Sequence, residues 1–353
     1  MQPFIPTADS IPVAWGWFQF LLLLTFPLHL LAMNAMVGGL AIGILQHFRG
    51  DQPGRRLAHR VAVMLPLVIA FAVNFGVAPL LFLQVLYGHF IYTSSILMGI
   101  FWISVIPALI IAYYGAYLYD FQFKPLGAIG PWLGLLVLVI LLCIGYFFAN
   151  NMLLMSLPER FGAYFEHRSG TLLASNNSMF MPRYLHMMAG ALAVGGLFVA
   201  LLGRFRAERD PALTERALHV GMRTFFVLTL VNICLGTWYL LSLERQSMLL
   251  FMGRNLGATI SFSLALLLAA VVLVTSFRRR LYATLAATVL LVYLMSFLRA
   301  WLRTDLLAEY FNLGQLQVAP QYSPLIFFLV CLVIGAGCVV WLLVKTMSAL
   351  AAE

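Results

Sequence analysis

The chain has 353 residues, 63% of them hydrophobic and only 9% charged. Soluble proteins carry about 25% charged residues, so this composition cannot clothe the whole chain in a water-facing surface. Soluble enzymes, disordered chains and nucleic-acid binders are excluded, and the +9 net charge sits in short loops between apolar runs, where it reports topology.

The residues before Trp15 hold no basic group, so they lack the front of a cleavable signal and the first span is expected to be retained. Apolar stretches of about 20 residues can cross a bilayer. They are predicted at 17–45, 61–84, 95–119, 131–152, 180–203, 220–242, 257–277, 281–298 and 323–346. The expected fold is all-α: a polytopic membrane bundle of about nine transmembrane helices, one integral domain over 1–353. Its long connections are expected at about 152–179 and 299–322.

Orientation follows from Lys and Arg. One set of loops holds Arg49, Arg55, Arg56, Arg60, Lys124, Arg204, Arg206, Arg209, Arg216, Arg278, Arg279, Arg280 and Lys345. The opposite set holds only Arg160, Arg168, Arg183, Arg245, Arg254, Arg299 and Arg303. The richer side is expected to be cytoplasmic, which places the N-terminus and both long loops outside. Trp15, Trp17, Trp132 and Trp301 fall near span ends, as an interfacial belt requires. The four cysteines lie in apolar runs without CxxC spacing, so they read as small hydrophobes.

All acids fall in loops, tails or span ends, which argues against a proton pump and leaves histidines as the main ionisable groups at membrane depth. His47, His59 and His219 read as solvated or snorkelling groups near the inner side. His29 lies well inside the first span beside Pro27, and an imidazole there must find a partner. Gly38, Gly39 and Gly43 follow it and permit close approach of a flat group or another helix.

His89, in QVLYGHFIYTSS, reads first as a loop histidine, then as an axial ligand or a proton acceptor. His186 follows Arg183 by one turn on the same helical face, and Gly190 and Ala193 leave that face bare below it. An axial imidazole, a smooth wall and a cation at the wetter end are what a haem needs. The alternative is a histidine bonded to a neighbouring helix with Arg183 merely interfacial. Met248 and Met252, before the seventh span, are candidates for a further ligand.

With these residues the chain resembles subunit I of the cytochrome bd quinol oxidases. Phe18-Gln19-Phe20 followed by His29 looks like that family's first helix, with the histidine somewhat further along than is usual there. Asn74-Phe75-Gly76, Gln84 and Tyr87-Gly88 look like its next conserved region, and Arg183 to Gly196 with His186 is similar to the helix bearing the low-spin haem ligand. The likeness spans about 15–245. Departures accompany it: Leu243 to Asn255 is too short for the family's quinol loop, and Gln84 stands where the family has a glutamate. Arg299-Ala300-Trp301 and Asp305 occupy the region of a further family motif without matching it.

The resemblance implies one or two haems b, with His29 and His186 as metal ligands, and Met252 is expected as a further one from its place near His186. Arg183, Gly190, Gln84, Arg299 and Trp301 would be cofactor contacts, Arg303 a further propionate cation, and His89 or Asp305 a quinol proton acceptor. With the acids gone, oxygen reduction is not expected. The expectation is a subunit of a bacterial inner membrane that moves electrons between quinol or quinone and a periplasmic cytochrome c or iron–sulfur subunit. Two alternatives stand beside it: a haem-free quinone-binding anchor, and a small-solute transporter.

Overall fold

The computed structural model describes residues 4–205 and 210–352; Arg206 and Arg209 of the inner cation set lie outside them. The helices are α1 (Trp15–Arg49), α2 (Gln52–Leu97), α3 (Gly99–Phe121), α4 (Gly130–Leu154), α5 (Phe180–Arg204), α6 (Pro211–Leu241), α7 (Arg245–Leu249), α8 (Leu256–Phe277), α9 (Leu281–Leu306) and α10 (Tyr322–Ala352). Among the described residues, nine of these, all but α7, are long and apolar enough to cross a membrane. The chain is a multi-pass helical membrane protein. No strand forms among the described residues; one isolated bridge joins Ile11 and Val318.

Several ends differ from the hydropathy reading for a common reason. α9 runs on to Leu306, so Arg299, Trp301, Arg303 and Asp305 are helical and the outer connection is only 307–321. α2 likewise continues to Leu97 through a kink at Tyr87, where φ is −133° and ψ 31°. His89 is therefore a helical residue, not a loop one. In both places polar side chains face the protein interior instead of ending the span. Caps form where the loops are polar: Asp210 Oδ1 accepts from Leu213 N at 3.1 Å, and Asn255 Oδ1 from Ala258 N at 3.0 Å.

The bundle has two halves. α1 packs along α2 and α5 along α6, while α3 pairs with α4 and α8 with α9. The halves meet where α1 crosses α5, backbone against backbone. A Cβ on Gly38 would stand 2.8 Å from Gly195 Cα and 2.9 Å from Leu192 Cα. Small residues at such crossings let helices approach where lipid offers no hydrophobic drive. Gly39 and Gly43 meet Phe198 and Val61, so this glycine stripe serves helix packing.

The outer ends are roofed by three segments. Residues 155–179 are pinned by Asn150, whose Oδ1 accepts from Ala174 N at 2.9 Å, and by Leu172 N donating to Leu97 O at 3.0 Å. Asn151, fully buried, bonds Ser94 and, at 2.9 Å, Ser95, tying α4 to α2. The N-terminal strip pairs with the 307–321 connection: Ile11 N to Gln317 O at 2.8 Å and Gln321 N to Pro12 O at 2.7 Å. α10 hangs from that pairing. None of Tyr322–Leu342 is buried, and Phe328 meets Phe82 edge-on at 5.8 Å.

Candidate functional site

A cavity of about 380 Å³ lies inside the bundle, bounded by α1, α4, α5, α6, α8 and α9, and runs from Arg303 and Leu306 of α9 inward past mid-span to Val272 of α8 and Thr288 of α9. His186, Arg183, Gly190 and Ala193 of α5 line it, with Asn232 and Gly236 of α6 and Arg299 and Arg303 of α9. The helical spacing read from the sequence thus puts Arg183, His186 and Gly190 on one wall, and α9 adds two cations from across the bundle.

His186 Nδ1 lies 3.1 Å from Asn232 O. A carbonyl only accepts, so Nδ1 carries the proton and Nε2 is left as a bare lone pair. Gly236 makes this possible: a Cβ there would come 3.0 Å from His186 Cε1. His29 repeats the arrangement in the other half. Its Nδ1 donates to Ala72 O at 2.8 Å, and a Cβ on Gly76 would come 2.9 Å from its ring. In both, the acceptor carbonyl and the space-making glycine are i and i+4 on the neighbouring helix. An imidazole oriented by a carbonyl on one nitrogen and free on the other is the form that ligates metals.

The outer end of the cavity is cationic. Arg299 Cζ lies 4.7 Å from the Phe26 ring centre, and Arg303 Cζ lies 4.6 Å from that of Tyr87. Arg299 stands in the field of both Arg183 and Arg303. None of the three is in an ion pair among the described residues, and Arg303 Nε is buried without a partner. Three converging guanidinium groups repel one another in a low-dielectric setting and call for an anion.

The other expected site residues lie off this lining. His29 is held between α1 and α2, and Gln84 is half-buried on α2. Met252, 50% exposed, sits in the irregular turn Leu250–Arg254, where Gly253 has φ 113°. Trp301 packs against Gly257 in the first turn of α8. His89 faces the outer roof, its ring 4.6 Å from Phe311. Asp305, expected as a proton acceptor, has both oxygens engaged: it pairs with Arg254 and accepts from Ser247 Oγ at 2.7 Å. That carboxylate pins the α6–α8 connection, whose Phe251 closes part of the cavity.

Two further histidines depart from the solvated reading. His47 is buried at the inner end, its Nδ1 3.0 Å from Tyr119 Oη and its ring stacked on Phe123, which His59 also meets. Asn232 went unnoticed in the sequence, although a polar amide in the middle of an apolar span was the signal that marks it. Among the described residues no three His, Cys, Asp or Glu side chains gather as a metal cage. No known protein-family model and no curated protein matches the chain.

Proposed function

We propose that the protein is a b-type cytochrome subunit of a bacterial inner membrane. It carries electrons between membrane quinol and a periplasmic redox partner, a cytochrome c or iron–sulfur subunit, and does not reduce oxygen. One observation carries the reading: His186, whose Nε2 has no hydrogen-bond partner among the described residues, lines a cavity whose other end holds three arginines without counter-ions among those residues. A haem b fits that donor set, since it offers an axial position to one imidazole and two carboxylates to the cations.

His186 would hold the iron, its ring kept in the neutral, Nδ1-protonated form by the Asn232 carbonyl. Gly190 and Ala193 would form the flat wall, and Arg183, Arg299 and Arg303 would neutralise the propionates. The group supplies one-electron chemistry when bound. His29, oriented in the same way by Ala72, would be the ligand for a second haem.

The test is a dithionite-reduced minus oxidised visible spectrum of the purified protein, with a pyridine haemochrome assay for stoichiometry. Sharp low-spin b-type bands that vanish in His186→Ala are expected. Haem-free protein from cells supplied with haem would overturn the proposal in favour of a bare anchor or a transporter.

A further inference from the structure

α6 and α8 pack together at their inner ends, where the rings of Phe226 and Phe277 lie 5.7 Å apart. Met222 and Phe225 share an apolar cluster there with Val272 and with Leu281, the first residue of α9. That packing brings four arginines to one corner. Arg223 stands one turn before Phe226 on the same face of α6, and Arg278, Arg279 and Arg280 form the α8–α9 turn between Phe277 and Leu281. All four are exposed, and none is in an ion pair among the described residues. The acids nearest in the fold are committed or distant. Asp51 and Asp210 pair with Arg216 and Arg56, Asp120 ends α3 in the other half, and Glu215 lies about 12 Å further in along α6.

Depth sets this corner at the membrane surface. α8 has 22 residues, about 33 Å, so it crosses a hydrocarbon core of about 30 Å once and delivers its turn to the headgroup level. Arg223 lies about 27 Å from Leu241 at the outer end of α6, at a matching level. Just outward of the arginines, Leu230 of α6 and Val274 of α8 are 43% and 51% exposed. Neither lines the cavity, nor do Phe226 and Phe277, so their open area faces lipid. Leu230 follows Phe226 by one turn and Val274 precedes Phe277 by one turn, so these four wall an apolar groove leading from the arginines into the bilayer.

The turn itself is fixed. Arg279 N donates to Ser276 O and Arg280 N to Thr275 O, both at 2.9 Å, and Thr284 Oγ1 donates to Arg280 O at 2.9 Å. Arg279 has φ 54°, the only positive φ of a non-glycine among the described residues. Glycine would hold that conformation without strain, yet a cation stands there.

We propose that this corner binds an anionic phospholipid, its phosphate held by the guanidinium groups of Arg223 and the 278–280 turn and an acyl chain lying in the groove between α6 and α8. Guanidinium groups match phosphate oxygens two bonds at a time. Four uncompensated cations repel the ammonium of a zwitterionic headgroup, so the site selects net negative charge. Its chemistry is separate from that of the haem.

The experiment is native mass spectrometry of the full chain in a neutral detergent, titrated with dioleoyl phosphatidylglycerol or with dioleoyl phosphatidylcholine. Phosphatidylglycerol should bind first, at a concentration at least tenfold lower. Arg223→Gln should reduce that preference about fivefold, the effect of one arginine at an anionic surface, and Arg278→Gln with Arg280→Gln should remove most of it. Arg49→Gln with Lys124→Gln takes the same charge from elsewhere on the inner side and should leave the preference intact. If the glutamine pair at the turn does not insert, Arg278→Lys with Arg280→Lys keeps the charge that sets topology and should still weaken binding several-fold by losing the paired bonds.

Equal binding of the two lipids by wild type would overturn the proposal. So would a preference that survives the changes at the turn, or one that the distant pair abolishes equally. Glycerol 3-phosphate in hundredfold excess should not displace the lipid, because it has no chain for the groove; full displacement would make the corner a site for free phosphate and refute the lipid as its occupant.

Discussion

Gly236→Ala tests the imidazole geometry directly, because two opposing effects make its sign informative. On an ordinary apolar helix the change stabilises by up to about 1 kcal/mol through helix propensity. Here the new methyl would stand 3.0 Å from His186 Cε1 and 3.1 Å from Nδ1. Carbon contacts prefer about 3.5–4.0 Å, so the ring must retreat by about 0.5 Å. The Nδ1 to Asn232 O distance is already 3.1 Å. That retreat carries it to the edge of a hydrogen bond and forfeits about 1 kcal/mol. Loss of such an orienting partner typically lowers metal affinity about 10–100-fold.

The expected result is substoichiometric haem, easily stripped by a competing apoprotein, with an unchanged helical circular dichroism spectrum. Gly145→Ala on α4 is the control, because its methyl makes only an ordinary contact with Met188 Cε at 3.6 Å and lies off the cavity lining. If Gly236→Ala raises the melting temperature and keeps full haem content, His186 is not wedged as described and the ligand assignment falls with it.

Asp305→Ala leaves Arg254 and Ser247 without their shared acceptor. Amide exchange over residues 243–255 should quicken by roughly tenfold while α5 stays protected, whereas uniform exchange would show that the carboxylate pins nothing. Asn151→Ala empties a fully buried site that serves Ser94 and Ser95, and should cost about 1–3 kcal/mol in thermal or denaturant unfolding. An effect within noise would contradict the tie between α2 and α4. Removal of residues 322–353 should lower the melting temperature of the remaining bundle only slightly, since no residue of Tyr322–Leu342 is fully buried and Phe328 meets Phe82 edge-on. A large drop would mean that α10 packs more closely than described.

The spans were legible because lipid imposes a length and a composition that soluble folds do not. The face carrying Arg183, His186 and Gly190 was legible too, since those residues share one helix and its period dictates their alignment. What escaped was everything that depends on which helices pair. Charge at Arg299 and Arg303 looked like the end of a span, yet α9 continues because those cations point into a cavity that five other helices enclose. The carbonyls of Ala72 and Asn232 have no side-chain signature. Their glycine partners, Gly76 and Gly236, are meaningful only once an imidazole is seen lying against them. Asp305 misled because an acid near a cluster of aromatics resembles a proton acceptor until Arg254 and Ser247 are placed beside it.

The Gly38–Gly195 crossing carries one more implication. α1 and α5 run in the same direction, and each places its histidine nine residues before the crossing glycine, His29 before Gly38 and His186 before Gly195. Both imidazoles therefore stand about 13.5 Å above the same pivot, at one level in the bilayer. Moving a charge across the whole membrane field is worth about 2.3 kcal/mol per 100 mV, and moving it sideways at constant depth is worth nothing. Electrons exchanged between centres held by these two histidines would travel parallel to the membrane, so that step would neither generate a membrane potential nor be slowed by one.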